Sequence, residues 1–380
     1  MNQFKLCLPL ITIMAERFTR RDFLNCLGLG LGALALSSLT GEKRELPAYL
    51  PTNTLILDFA PETTTSGIIQ EEFPNNEEVL KKILGDKYLS EWELKIALGL
   101  ETINSGNLPQ AIKKYPEAIL ARETMKEVRL HTPKVVRAMD RIWNMIGIDS
   151  DPYVLPIQNE LGPGNIKFTE GTDSIRMDLS IEPDQIFTPV RDVLKENPGL
   201  QVLNLSFQMG VSSVVYDLRS GEYETIEAYR KERSYANVPK LVTLCKELPE
   251  LLVVAAGGNE SDDILKVRGE YESKGEWPEN LILTADWNEK KEEPSNPVYG
   301  VDFYLDSTEV GSIRGSSITT GIVSAVGSAL TYVYGSIFIR DDITERFSEQ
   351  KSIRLPDDNS LGVETDRVNV LDISKLPVAV

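Results

Sequence analysis

A loop of small polar residues leads into a run of small and apolar residues in the last quarter of the chain. The loop contains Gly311, Gly315, Ser316 and Ser317, and the apolar run continues to Leu330. The pattern predicts a loop entering a tightly packed helix, because glycine tolerates unusual backbone angles and serine caps helices. A serine there has a backbone amide beside it and the positive end of the helix dipole below it, which suits a developing oxyanion. The alternative is an ordinary serine cap.

Three other polar residues lie where an apolar segment ends or a helix begins. Asp58 follows the apolar run 55–57, which predicts a buried strand. His131 is the only histidine in the chain, and it precedes Pro133 at a predicted helix start, where its ring can act as a base. Asn259 follows another apolar run and two glycines. Each residue alone has an ordinary structural explanation as a turn, cap or core residue.

The elements that position these residues alternate along the chain. Apolar runs predict strands at 55–57, 153–157, 201–207, 251–256, 281–285 and 367–371, with helices at 184–196 and 223–247 and a loop or hairpin at 160–180. This order predicts an α/β fold, a parallel doubly wound sheet with helices on both faces. The carboxyl ends of such strands converge, so Asp58, His131, Asn259 and Ser317 are expected at one edge.

Residues 68–127 have apolar positions at helical spacing with charges between them. They predict a helical insertion after the first strand, lying on the surface. A lid over a cleft is the alternative.

In their chain order Asp, His, Ser, these residues resemble the catalytic residues of the subtilisin-like serine proteases. The resemblance covers about residues 50 to 376, with the 68–127 insertion unmatched. The matching phrases are Leu55-Ile56-Leu57-Asp58, His131 with its helix, Val202-Leu203-Asn204-Leu205-Ser206, the run from Val253 to Glu260, Gly315-Ser316-Ser317-Ile318-Thr319, and the closing Arg367 to Leu371.

The resemblance implies an exported serine endopeptidase that acts on a peptide or protein and needs no metal. Ser317 is then the nucleophile and His131 its base, while Asp58 orients the histidine. Asn259 and the backbone amide of Ser317 bind the oxyanion. The residues implied in substrate binding are Ser206, Phe207, Gln208, Gly257 and Gly258. The implied domains are a signal segment at 1–41, a catalytic domain at 42–376 and a tail at 377–380.

Several positions depart from the family's pattern. The family's Asp-Ser/Thr-Gly is Asp58-Phe59-Ala60 here, Thr132 replaces the glycine after the histidine, and Lys134 replaces the second histidine of that box. Gly321 occupies a position where the family has proline. Gln208 occupies the position of the glycine that forms the floor of the specificity pocket in the family. These changes indicate a divergent member. The changes around Asp58 and His131 give some support to a rival interpretation, a catalytically silent subtilisin-like protein that binds peptides or a partner.

Composition narrows the class of protein. The 380 residues include 41% hydrophobic residues, which predicts a globular chain, and the net charge of −18 argues against a nucleic-acid partner. The acidic residues offer carboxylates for calcium, but no loop has diagnostic calcium-ligand spacing, so no cofactor is predicted.

The first forty residues indicate export. Thr19-Arg20-Arg21-Asp22-Phe23-Leu24 resembles a twin-arginine signal, and an apolar stretch to Leu39 follows it. The predicted partner is the twin-arginine export machinery, and the predicted location is periplasmic or extracellular. An uncleaved leader anchoring the protein to the membrane is the alternative. Cys245 is the only cysteine beyond the leader, which excludes a disulfide within the mature chain.

Overall fold

The computed structural model describes residues 51–59, 76–206, 211–217, 223–226, 231–257, 264–295, 298–309, 314–334, 339–353 and 366–375. Several predictions fall outside these ranges: the leader at 1–41, the tail at 377–380, the start of the insertion at 68–75, and the site residues Phe207, Gln208, Gly258 and Asn259. None of the described helices is long and apolar enough to cross a membrane.

A central sheet organises the described residues. Its strands, in chain order, are β1 (Thr54–Asp58), β2 (Tyr153–Pro156), β5 (Val202–Leu205), β8 (Leu252–Ala256), β9 (Leu281–Asn288), β10 (Glu293–Pro294), β11 (Phe303–Leu305), β12 (Ser348–Ile353) and β13 (Asp366–Leu371). They lie in the order β12-β13-β11-β9-β8-β5-β1-β2, with β10 paired to β9. All neighbours along this order are parallel except β12 and β13. The predicted α/β fold with a mostly parallel sheet is therefore confirmed.

Successive residues of the buried strands contribute alternately to two separate apolar clusters. Leu55 and Leu57 of β1 belong to one apolar cluster, and Ile56 between them belongs to the other. The same alternation holds in β8, where Val253 and Val254 contribute to different clusters. Successive strand side chains point to opposite faces, so a sheet covered on both faces is apolar throughout its strands. This explains why the strands are continuous apolar runs in the sequence.

Helices cover both faces of this sheet. Those packed into the first cluster are α1 (Asn76–Leu84), α2 (Glu91–Leu98), α3 (Leu108–Lys114), α4 (Pro116–Arg129), α6 (Pro183–Glu196), α7 (Lys231–Glu247) and α8 (Ile264–Glu272). The second cluster contains α5 (His131–Met145), α9 (Ser316–Tyr334) and α10 (Ile339–Phe347). Most of residues 76–127 are helical, as predicted, and form α1 to α3 and most of α4.

A second, antiparallel sheet accompanies the first. It consists of β3 (Ile166–Glu170), β4 (Ser174–Ser180), β6 (Val211–Asp217) and β7 (Tyr223–Ile226), in the order β3-β4-β6-β7. The pair β3 and β4 is the hairpin predicted within 160–180. The helix predicted over 223–247 is wrong at its start, because Tyr223–Ile226 pairs with β6 and the described helix begins at Lys231. Aromatic and β-branched residues in this segment fit a strand once a partner is beside it.

The chain reverses its direction of winding at β1. It leaves β1 for β2 on one side and then returns past β1 to β5 on the other. In open α/β sheets, sites form outside the carboxyl ends of the strands at such a reversal. Asp58 ends β1 at this point, and Ser206 follows β5 beside it.

Candidate functional site

Asp58 and His131 form a hydrogen-bonded pair at the carboxyl end of β1. The Oδ2 atom of Asp58 lies 2.7 Å from Nδ1 of His131. Asp58 has no exposed surface, while 30% of the His131 side chain is exposed. Since an ionised carboxylate only accepts hydrogen bonds, Nδ1 carries the hydrogen and donates it. In the neutral ring Nε2 then carries no hydrogen, which is the arrangement a general base requires.

Backbone contacts hold the Asp58 carboxylate in place. Its other oxygen, Oδ1, accepts a hydrogen bond of 2.7 Å from the backbone amide of Phe59. The hydroxyl of Thr132 donates to the carbonyl oxygen of Phe59, and Thr132 is fully buried. Phe59 and Thr132, which follow Asp58 and His131 in the chain, are therefore hydrogen-bonded to each other. Together they fix the start of α5 against the end of β1.

Thr132→Val should destabilise the protein, because it leaves the buried Phe59 carbonyl without this donor. An unsatisfied buried acceptor costs about 1–3 kcal/mol. Chemical denaturation should show a lower midpoint for Thr132→Val and a near-normal midpoint for Thr132→Ser, which keeps the hydroxyl. A Thr132→Val midpoint equal to that of the wild type would mean that this hydrogen bond does not anchor α5.

The helix α9 starts with the two serines singled out in the sequence. Its first residue is Ser316, and the carbonyl oxygen of Gly315 accepts from the amides of Ile318 at 3.0 Å and Thr319 at 3.2 Å. Gly315 has a φ of 144°, which residues with a Cβ rarely adopt. Gly315 directly precedes the described helix, and the alternative of an ordinary capping role for Ser316 or Ser317 stays a prediction. Ser317 is partly exposed and Ser316 is buried, which makes Ser317 the accessible hydroxyl.

Three side-chain contacts set the direction of α9 on the sheet. Ser328, in its second half, donates to Asn53 just before β1 at 2.7 Å. Ser324 accepts from Asn204 in β5 at 2.8 Å, and the hydroxyl of Thr320 lies 2.8 Å from that of Thr284 in β9. The helix therefore runs opposite to the strands. Its N-terminus lies at the edge where Asp58 is located.

Close packing of α5 and α9 sets their register. A Cβ at Gly321 would lie 3.0 Å from Cγ1 of Val135 and 3.2 Å from the Val135 carbonyl oxygen. Glycine at 321 is what permits this approach. His131 precedes Val135 by four residues, and Ser317 precedes Gly321 by four residues, which is about one helical turn in each case. Each residue therefore lies on the face of its helix that makes this contact. The register thus directs both residues toward the same edge of the sheet.

The backbone amide of Ser317 is part of the first turn of α9. Amides at this position have no acceptor within the helix, and they lie at the positive end of its dipole. A negatively charged oxygen formed beside Ser317 would be stabilised there. The other predicted oxyanion donor, Asn259, lies outside the described residues.

Two of the residues predicted to bind substrate, Ser206 and Gly257, lie within the described ranges, and both make structural contacts. Ser206 is fully buried, and its hydroxyl donates to Oδ1 of Asn204 at 2.5 Å, so its side chain points into the protein. The amide of Gly257 donates to the carbonyl oxygen of Thr284 at 2.8 Å. Sequence reasoning missed the polar contacts made by Asn204, Thr132 and Thr284. Asn204 and Thr284 appeared in the sequence only as members of predicted strands, and Thr132 appeared only as a departure from the family's pattern.

Two other kinds of site are absent from the described part of the chain. Cys245 is buried, and this burial raises the pKa of its thiol to about 12, so it is not a thiolate nucleophile near neutral pH. In the described ranges, no group of three or more His, Cys, Asp or Glu side chains is arranged to hold a metal ion. A search of protein-family models and a search of curated proteins both found no match to this chain.

Proposed function

We propose that the protein is a subtilisin-like serine endopeptidase that hydrolyses peptide bonds through Asp58, His131 and Ser317. One observation carries the proposal: the fully buried carboxylate of Asp58 lies 2.7 Å from Nδ1 of His131. This pair lies at the edge of the sheet where the first turn of α9 contains Ser317. A buried carboxylate paired to a partly exposed histidine, with a serine in the first turn of a helix that begins at the same edge of the sheet, provides the groups needed for acyl transfer.

In the proposed reaction, Ser317 Oγ attacks the carbonyl carbon of the scissile peptide bond. Nε2 of His131 accepts the hydroxyl proton as the new C–O bond forms, and the carbonyl oxygen becomes an oxyanion. Asp58 keeps the ring in the required tautomer and stabilises the imidazolium. His131 then gives the proton to the leaving amine, and the C–N bond breaks. Water, activated by the same histidine, releases the second product and restores Ser317.

The departures from the family's pattern are compatible with this chemistry. Phe59 stands where the family has serine or threonine, and its amide donates to Asp58. Thr132 stands where the family has glycine, and its hydroxyl donates to Phe59. The substituted residues thus hold the Asp58 and His131 pair together. These contacts support the proposal, because they keep Asp58 and His131 paired despite two of the substitutions.

Peptide hydrolysis by the purified protein tests the proposal. A mixture of unstructured peptides is incubated with the wild type, and mass spectrometry records new termini. Ser317→Ala is the matched inactive variant. Ser328→Ala is the matched active variant, since it removes a buried serine of the same helix about three turns away. Cleavage by the wild type and Ser328→Ala alone supports the proposal; peptides left intact by the folded wild type contradict it and favour the silent binding protein.

Asn259→Ala should lower kcat by roughly a hundred- to a thousandfold with little change in folding. The prediction follows from its place after β8 and its proposed contact with the oxyanion, which exists only during the reaction. Thermal unfolding and steady-state kinetics on a cleaved peptide measure the two effects. Full activity in the variant would show that this loop contributes no oxyanion donor.

A further inference from the structure

We infer that a cleft beside the proposed catalytic pair binds a positively charged side chain of the peptide substrate. The inference rests on the proposed function, since it names a class of substrate for the same site. The cleft has a volume of about 400 Å³, and its lining includes residues of α1, of the segment between β2 and β3, and of the start of α6. Ligand pockets in proteins commonly have volumes of roughly 300–1,000 Å³.

The cleft begins close to Asp58. Pro156, the last residue of β2, is the register partner of Asp58, and neighbouring strands lie about 4.8 Å apart. The 3₁₀ turn Ile157–Glu160 follows Pro156 directly, and such a turn rises about 2.0 Å per residue. The backbone of Glu160, which lines the cleft, therefore lies within roughly 13 Å of that of Asp58. An extended peptide advances about 3.3 Å per residue, so side chains up to about four residues from the scissile bond can reach the cleft.

Two side-chain amides fix the shape of the lining. Asn165 is buried, and its NH₂ group donates to the carbonyl oxygen of Ser180 at 2.6 Å and to Oε1 of Gln185 at 2.8 Å. The NH₂ group of Gln185 donates to the carbonyl oxygen of Glu160 at 3.2 Å and to Oδ1 of Asn165 at 3.4 Å. Each amide thus uses both of its hydrogens within the protein. A ligand must therefore be bound by the other polar groups of the lining.

Those groups include the carboxylates of Glu160 and Glu182. Glu182 is exposed and Glu160 is partly exposed, so both carboxylates are accessible from the cleft. Within the described ranges, neither carboxylate forms an ion pair. An ionised carboxylate only accepts hydrogen bonds, and the ammonium of lysine and the guanidinium of arginine only donate them. The two glutamates are therefore complementary to a basic side chain in both charge and hydrogen bonding.

The helical insertion contributes a wall to the same cleft. Lys82 of α1 belongs to the lining, and its Nζ donates to the carbonyl oxygen of Asn159 at 2.7 Å. This contact holds α1 against the segment that follows β2. It also places one positive charge opposite the two carboxylates. Removal of that charge should strengthen the binding of a second cation.

Peptides that differ by one charge test the inference. A peptide that the wild type cleaves is resynthesised with lysine, and separately with norleucine, at each of the four positions on either side of the scissile bond. Norleucine has the same carbon chain as lysine without the ammonium. At one of these positions, we expect lysine to raise kcat/KM by about three- to tenfold over norleucine, as one or two exposed ion pairs would. The gain should shrink in about 1 M salt, which screens exposed charges.

Four protein variants assign the preference to the cleft. Glu160→Gln and Glu182→Gln should each reduce the preference for lysine, while Lys82→Met should increase it by about twofold. Glu196→Gln is the matched control, because it removes an exposed carboxylate at the other end of α6, about 21 Å along the helix from Glu182. This variant should retain the wild-type preference.

Three results would overturn the inference and leave the proposed function intact. The first is an equal kcat/KM for the lysine and norleucine peptides at every position. The second is a preference that Glu196→Gln reduces as much as the two cleft variants do, because the overall charge of the protein is then responsible. The third is a reduced preference in Lys82→Met as well as in Glu160→Gln and Glu182→Gln, which would mean that the substitutions only disturb the shape of the cleft.

Failure of the proposed function gives a different result. If the folded wild type cleaves no peptide, fluorescence anisotropy of the labelled lysine and norleucine peptides decides the inference separately. Tighter binding of the lysine peptide that is lost in Glu160→Gln and Glu182→Gln supports the cleft as a binding site without catalysis. Equal binding of the two peptides overturns the inference together with the proposed function.

Discussion

A fluorophosphonate probe should modify Ser317 of the folded protein, and the modification should disappear in Ser317→Ala and in His131→Ala. A serine hydroxyl is a weak nucleophile until a neighbouring base accepts its proton, and His131 is the only histidine in the chain. Because the two side chains act as one unit, either substitution should lower peptide turnover by on the order of 10⁶-fold. Intact-mass measurement detects the label, and peptide mapping locates it.

The control for this experiment is Ser328→Ala, which should be labelled as the wild type is. Circular dichroism of every variant shows that an unlabelled protein is still folded. Absence of label on the folded wild type contradicts the protease proposal. Label on Ser316 contradicts the choice of nucleophile, and label that persists in His131→Ala contradicts the choice of base.

The central sheet was the most predictable part of the fold. Its strands are buried on both faces, so runs such as 251–256 are continuously apolar and stand out from the charged helices around them. The second sheet was only half predicted, through the hairpin at 160–180. Its strand Tyr223–Ile226 is short and has a glutamate within it, and only pairing with β6 makes it extended. Such tertiary pairing overrides local preference and has no local signal.

The candidate site was predictable in its residue types but not in its supporting contacts. Asp58 and His131 were singled out because each sits at the end or start of an element, and the structure places their side chains 2.7 Å apart. The hydrogen bond from Thr132 to Phe59 and that between Thr284 and Thr320 join residues distant in the chain. Buried threonines are common in sheets and helices, so nothing in the sequence distinguishes these three threonines from others.

Asp58→Asn should leave the protein folded and lower peptide turnover by about 10⁴-fold. In the wild type, Oδ1 of Asp58 accepts the Phe59 amide at 2.7 Å, and Oδ2 faces Nδ1 of His131. An asparagine that keeps its oxygen on the Phe59 amide turns its NH₂ group toward Nδ1. The ring must then present an unprotonated Nδ1, which places its hydrogen on Nε2. A protonated Nε2 cannot accept the proton of Ser317, so the base is lost although every side chain remains in place.

A matched control separates this tautomer effect from the loss of a buried charge. Asp286, near the carboxyl end of β9, is 3% exposed and accepts the amide and hydroxyl of Ser307 at 3.1 and 2.6 Å. Asp286→Asn also removes a buried charge from this sheet but does not face His131. Turnover and thermal unfolding are measured for both variants. Equal losses would mean that charge or stability is responsible, and unchanged turnover in Asp58→Asn would mean that Asp58 does not orient the base. A loss confined to Asp58→Asn, at an unchanged melting temperature, assigns the effect to the hydrogen that Asp58 holds on Nδ1.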